Sequence, residues 1–137
     1  MSTPGEALAG CIAEYRPRVV EELRTIVGAD PAALFAWMRF HLGWEEQDGR
    51  AASGGPGKML RSTALLLAAE TYAGSVEQAL PAAAAIELVH GFSLLHDDVE
   101  DQSAQRRGRP AVWTFAAAAL GVLALASLAR FAIGRRR

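Results

Sequence analysis

The chain has 137 residues, of which 51% are hydrophobic, 21% charged and 7% aromatic, which suits one compact domain and excludes a disordered chain. Alanine fills 28 positions, a bias that favours helices and removes the strand-rich classes. The net charge of -1 hides an asymmetry, because residues 1–101 hold all 15 acidic and 7 basic residues while residues 102–137 hold 7 arginines and no acid; the acidic first part argues against a nucleic-acid-binding stripe.

The first predicted element covers residues 5–27, where Leu8, Ile12, Tyr15, Val19, Leu23 and Ile26 recur at spacings of three and four despite Pro17, and Gly28 closes the helix. Cys11 is the only cysteine, so neither an internal disulfide nor a four-cysteine zinc site can form. Residues 1–9 lack a basic segment ahead of an apolar run, and with the single thiol this predicts a cytoplasmic protein.

Asp30 and Pro31 predict an N-cap and first position for a second helix, which carries Leu34, Trp37, Met38 and Leu42 on its apolar face. Residues 48–57 are too rich in glycine and proline for regular structure and predict a loop. A third helix follows over about residues 58–72. A fourth starts near Leu80 and Pro81 and passes through Ile86, Val89, Phe92 and Leu95 into an acidic cluster.

That cluster reads D-D-x-x-D, with Asp97, Asp98 and Asp101, and Glu100 adds a fourth carboxylate. On a helix, residues four apart lie on one face about 6 Å apart, so Asp97 and Asp101 point into one cleft as a hard oxygen site of the kind magnesium takes, its remaining positions left to water and substrate phosphate. Taken alone, the pattern more often marks a solvated acidic helix end. His90 supplies context: seven and eleven residues before Asp97 and Asp101, it falls within about 20° of both on the helical wheel. His96 is offset from Asp97 by about 100° and is expected to pack or to sit behind the site.

Two basic clusters bracket the aspartates. Lys58 and Arg61 stand at i and i+3 where the glycine-rich loop enters the third helix, so a diphosphate could meet two cations and free backbone amides there. Arg106 and Arg107 follow in a loop, where guanidinium groups can grip phosphate. Either cluster alone would pass for surface charge; both, flanking a carboxylate pair, point to diphosphate chemistry.

These segments resemble the first half of a trans-isoprenyl diphosphate synthase, of the polyprenyl synthetase family. The resemblance rests on Gly57-Lys58-Met59-Leu60-Arg61, on the run from Ile86 through His90 and His96 to Asp101, and on Arg106-Arg107-Gly108-Arg109-Pro110. It implies an all-α fold, part of an isoprenoid-synthase-type helical bundle, and the head-to-tail condensation of isopentenyl diphosphate with an allylic diphosphate to a polyprenyl diphosphate. It also implies Mg2+ held by Asp97 and Asp101 with Asp98 in support, the allylic diphosphate touched by Arg106, and isopentenyl diphosphate held by Lys58, Arg61, His90 and Arg107. Phe92 and Ser93 would limit product length, with geranylgeranyl diphosphate as the expected class, and the complete enzyme would be a homodimer.

The chain departs from the family in two places. Ser62 stands where the family has proline, and no Asp-Asp pair follows Asp101 to supply the second aspartate-rich motif, so the chain is expected to be a truncated form inactive by itself. The division is therefore residues 1–114, the N-terminal part of a synthetase domain, and residues 115–137, an atypical helical tail of alanine, leucine and arginine arising from a shifted reading frame or a premature end. Two other readings compete: a noncatalytic helical partner that binds diphosphate or supports a synthase subunit, and a membrane-attached protein. The latter rests on the 18 uncharged residues 112–129 within an apolar stretch reaching residue 133. A buried bundle helix fits that alanine-rich run better. Arg135, Arg136 and Arg137 would also hold the C-terminus inside and push out a domain without an export signal.

Overall fold

The computed structural model describes residues 3–28, 31–53 and 55–117. The fold is all-α, with one two-residue hairpin among the described residues. The first helix, α1, is Pro4–Val27. Thr3 caps it in a reciprocal box: the Glu6 amide donates to the Thr3 hydroxyl at 3.3 Å, and the Thr3 amide donates to the Glu6 carboxylate at 2.7 Å. Gly28, at φ 62°, ends it. Its buried seam is Tyr15, Val19, Leu23 and Val27; Leu8 and Ile26, expected on that face, lie half-exposed at its edges.

Helix α2 is Ala33–His41 with Ala32 at its N-cap and no side-chain cap. It therefore starts two residues later than expected, with Pro31 outside it; Asp30 lies outside the described residues. The polypeptide then doubles back through an isolated bridge between Glu45 and Ala51, and Gly49 takes the turn at φ 80°.

Helix α3 is Leu60–Thr71 and α4 is Val76–Glu100, which begins four residues earlier than expected and keeps Pro81 inside. Both end in the same way. After α3, Ala73 is left-handed at φ 58° and the Gly74 amide reaches back to Ala69 O at 2.8 Å. After α4, Gln102 is left-handed at φ 51° and the Ser103 amide reaches back to Asp98 O at 2.9 Å. The chain forms two compact units, residues 1–93 and residues 94–137, and the division falls within α4.

In the first unit, Tyr15, Val19 and Leu23 of α1 pack with Met59, with Leu66 of α3 and with Ala83 and Ala84 of α4. The two alanines let the backbones approach closely, since helix spacing is set by the side chains between them. The Tyr15 hydroxyl donates to Glu70 of α3, which raises its pKa to about 12. In the second unit, β1 (Gln105–Arg106) pairs antiparallel with β2 (Arg109–Pro110). Trp113 Nε1 donates to Ser103 O at 2.9 Å and ties the segment after the hairpin to the one before it. Residues 112–117 are helical, and the expectation about the remainder of the tail lies outside the described residues.

Candidate functional site

The basic corner is built around Met59. This residue is buried and left-handed, at φ 51° and ψ 44°, and is the N-cap of α3. Its carbonyl accepts from the Thr63 amide at 3.0 Å and the Thr63 hydroxyl at 2.8 Å. Lys58 and Arg61 flank this elbow, both exposed, and among the described residues neither has an ion-pair partner.

One of the first backbone amides of α3 is already taken. The Ser62 amide donates to Glu87 Oε1 of α4 at 3.0 Å, and the Ser62 hydroxyl lies 2.8 Å from the same oxygen. A carboxylate already satisfies that amide, so it is not open to an incoming anion. Glu87 went unnoticed as a site residue in the sequence because its partner is 25 positions away. The available signal was a lone acid within the apolar run of the fourth helix. Glu87 lies on α4 three residues before His90, which is half-buried. Ser93 donates its hydroxyl to His90 O at 2.8 Å, and Phe92 is 67% exposed.

The acidic end separates its three aspartates by role. Asp97 and Asp101 are exposed, and the Asp101 amide still bonds to Asp97 O at 2.9 Å, so the two keep the one-turn spacing of a helix. Asp98 is 2% exposed and does not join them. Its Oδ2 accepts from Arg106 Nε at 2.7 Å, and its Oδ1 is buried without a hydrogen-bond partner among the described residues. This hydrogen bond raises the pKa of Arg106; partial burial opposes it, and the charges of Asp98, Asp97 and Asp101 add to it.

Arg107 and Gly108 form the two-residue hairpin turn, at φ 53° and 73°. Positive φ at both central positions is the turn whose twist matches the flanking strands. Arg107 is exposed at this tip, whereas Arg106 points back to Asp98. The sequence predicted only a loop here. The correction follows from the strands being two residues long, too short to show alternation.

His96 is exposed, contrary to the expectation of packing, and its Nδ1 lies 3.6 Å from Glu100. Ligand atoms of His96, Asp97 and Glu100 lie within 4.8 Å of one another. An imidazole favours softer ions, so a hard cation is better served by the carboxylates of Asp97 and Asp101. Those two exposed carboxylates, one helical turn apart, are the donor type magnesium takes, while Asp98 stays buried behind them on Arg106.

A model of the family described as Polyprenyl synthetase matches residues 47–132. The chain belongs to the polyprenyl synthetase family. The match passes Thr114 and takes in most of the tail, so family likeness does not stop where composition placed the boundary. A geranylgeranyl diphosphate synthase of Mycobacterium tuberculosis is 45% identical over 97 residues, 71% of this chain and 26% of the relative. A (2E,6E)-farnesyl diphosphate synthase of Mycobacterium bovis is 41% identical over 85 residues, 62% of this chain and 24% of the relative. The crystal structure of a polyprenyl synthetase from Streptomyces coelicolor A3(2) superposes with a TM-score of 0.71 at 36% identity, covering 77% of this chain and 31% of that one. This polyprenyl synthetase chain thus spans about a quarter of the length of the curated relatives it matches.

Proposed function

We propose that this chain carries the first-half residues of a prenyltransferase site, which binds an allylic diphosphate and isopentenyl diphosphate. The observation that carries the reading is the division among the aspartates: Asp97 and Asp101 stand exposed one helical turn apart, while Asp98 is buried and holds Arg106 beside them. Asp97 and Asp101 would hold Mg2+, which supplies positive charge to stabilise the diphosphate as it leaves. The Asp98 bond uses only Nε of Arg106, and a guanidinium has four further N–H donors with which to reach the same diphosphate. Lys58, Arg61, His90 and Arg107 would hold isopentenyl diphosphate as a second anion.

In this reaction the allylic carbon–oxygen bond breaks and diphosphate departs with the electron pair. The double bond of isopentenyl diphosphate attacks the allylic cation, and loss of a proton from the adduct restores neutrality at carbon. The chain's own residues bind and orient two diphosphates, and no covalent enzyme intermediate forms. Phe92, exposed on α4, and Ser93 would meet the growing tail. The names of the relatives, geranylgeranyl and farnesyl diphosphate synthases, support a short to medium product with geranylgeranyl diphosphate as first choice. The 137-residue chain would bind without turning over, because no second Asp-Asp pair follows Asp101; the complete enzyme would be a cytoplasmic homodimer.

Calorimetric titration of the folded chain with geranyl diphosphate, with and without Mg2+, tests the reading. Binding that requires Mg2+ is the expected result; equal binding in both conditions, or none in either, refutes it. A second reading, a noncatalytic partner of a complete synthase subunit, is favoured by the exposure of Ile86, Val89, Phe92 and Val99 on α4. A stable complex after mixing with such a subunit would select it.

A further inference from the structure

We infer that Glu87 is a positioning residue for isopentenyl diphosphate: it fixes the left-handed elbow at Met59 so that Lys58 and Arg61 are held as a pair. This role deepens the functional reading above and rests on it. Glu87 reaches from α4 to a residue with no exposure, Ser62, and accepts from both its amide and its hydroxyl. The hydroxyl is also 3.0 Å from Met59 O, but it has a single proton, and the charged acceptor at 2.8 Å is the stronger partner.

Met59 has no conformational reason of its own to be left-handed, since its side chain is unfavourable there. Two sets of bonds hold it. Thr63 binds the Met59 carbonyl from one side, and Glu87 anchors the next turn through Ser62. Lys58 precedes the elbow and Arg61 follows it, so the backbone angles of Met59 set the separation between the two cations. Glu87 itself makes no ion pair with either cation among the described residues, which leaves both for a ligand.

Ser62 is essential to this arrangement. Proline at this position would have neither an amide hydrogen nor a hydroxyl, and would leave Glu87 without either bond. The serine thus converts a residue of the apolar helix α4 into a brace for the diphosphate-binding elbow.

The test is calorimetry on the full chain, with isopentenyl diphosphate as one probe and geranyl diphosphate plus Mg2+ as the other. Glu87→Ala is expected to weaken isopentenyl diphosphate binding about tenfold, and Glu87→Gln, which keeps an acceptor oxygen, to restore it to within about threefold of wild type. Geranyl diphosphate binding should stay within about twofold in both variants. Unchanged isopentenyl diphosphate affinity in Glu87→Ala, or a parallel fall for both probes, overturns the role. Should the alanine variant fail to fold, Ser62→Ala keeps the amide but removes the hydroxyl; an intermediate loss of about threefold supports the role, and no loss overturns it. A wild-type chain without isopentenyl diphosphate affinity would instead overturn the functional reading itself, so the two failures are distinguishable.

Discussion

Asp98 is bound at both ends: its carboxylate receives Arg106 Nε at 2.7 Å, and its carbonyl receives the Ser103 amide at 2.9 Å. The middle residue of the aspartate motif therefore closes α4 and fastens the arginine hairpin to it. This explains how four carboxylates packed into five positions are accommodated: the buried Asp98 is neutralised by a guanidinium, and Asp97, Glu100 and Asp101 remain exposed.

Asp98→Ala should therefore act on stability. Removing it leaves Arg106 partly buried without its main partner, and the expected loss is about 2 kcal/mol, at the low end for such a pair because the Arg106 side chain keeps 29% exposure. Asp97→Ala, on an exposed position, should change stability by no more than about 0.5 kcal/mol. Urea unfolding of the two variants checks this. Equal midpoints would contradict the division of roles.

Arg107 offers the opposite separation. It holds a left-handed conformation that glycine adopts freely, so Arg107→Gly should leave the chain as stable as wild type, or more stable by up to about 1 kcal/mol. The same change removes an exposed cation and should weaken isopentenyl diphosphate binding about tenfold. Thermal unfolding and calorimetry on one sample measure both, and a variant that binds as wild type does would remove Arg107 from the site.

These two residues also show what the sequence made legible. The helices could be read from the spacing of apolar residues and from the punctuation of Gly28 and residues 48–57, and so could the cations and carboxylates that now sit exposed. The pairing of Asp98 with Arg106 could not. It depends on a helix end at which Gln102, with neither glycine's nor asparagine's preference, turns left-handed, and on a hairpin too short to announce itself. Glu87 was hidden for a related reason: the residue it braces lies on another helix, and no local spacing joins them.

Tyr15 gives a prediction in pH. Its hydroxyl bond to Glu70, aided by burial, holds the phenol protonated up to about 12, above its ordinary value of 10.0. The folded state thus retains a proton that the unfolded state releases, and this contribution to stability is complete below pH 10 and lost as pH rises towards 12. Thermal midpoints of wild type should fall more steeply over that window than those of Tyr15→Phe. Parallel curves would mean that the Tyr15–Glu70 bond contributes nothing.

Asp97 and Asp101 are proposed to hold a divalent ion with an allylic diphosphate. Electron paramagnetic resonance with Mn2+ in place of Mg2+ tests it most directly, because free Mn2+ gives a signal that is lost on binding. Wild type with geranyl diphosphate should take up Mn2+ well beyond what either component binds separately, and the Asp97→Asn, Asp101→Asn double variant should lose that excess while remaining folded. A double variant that still takes up the same excess would contradict the account.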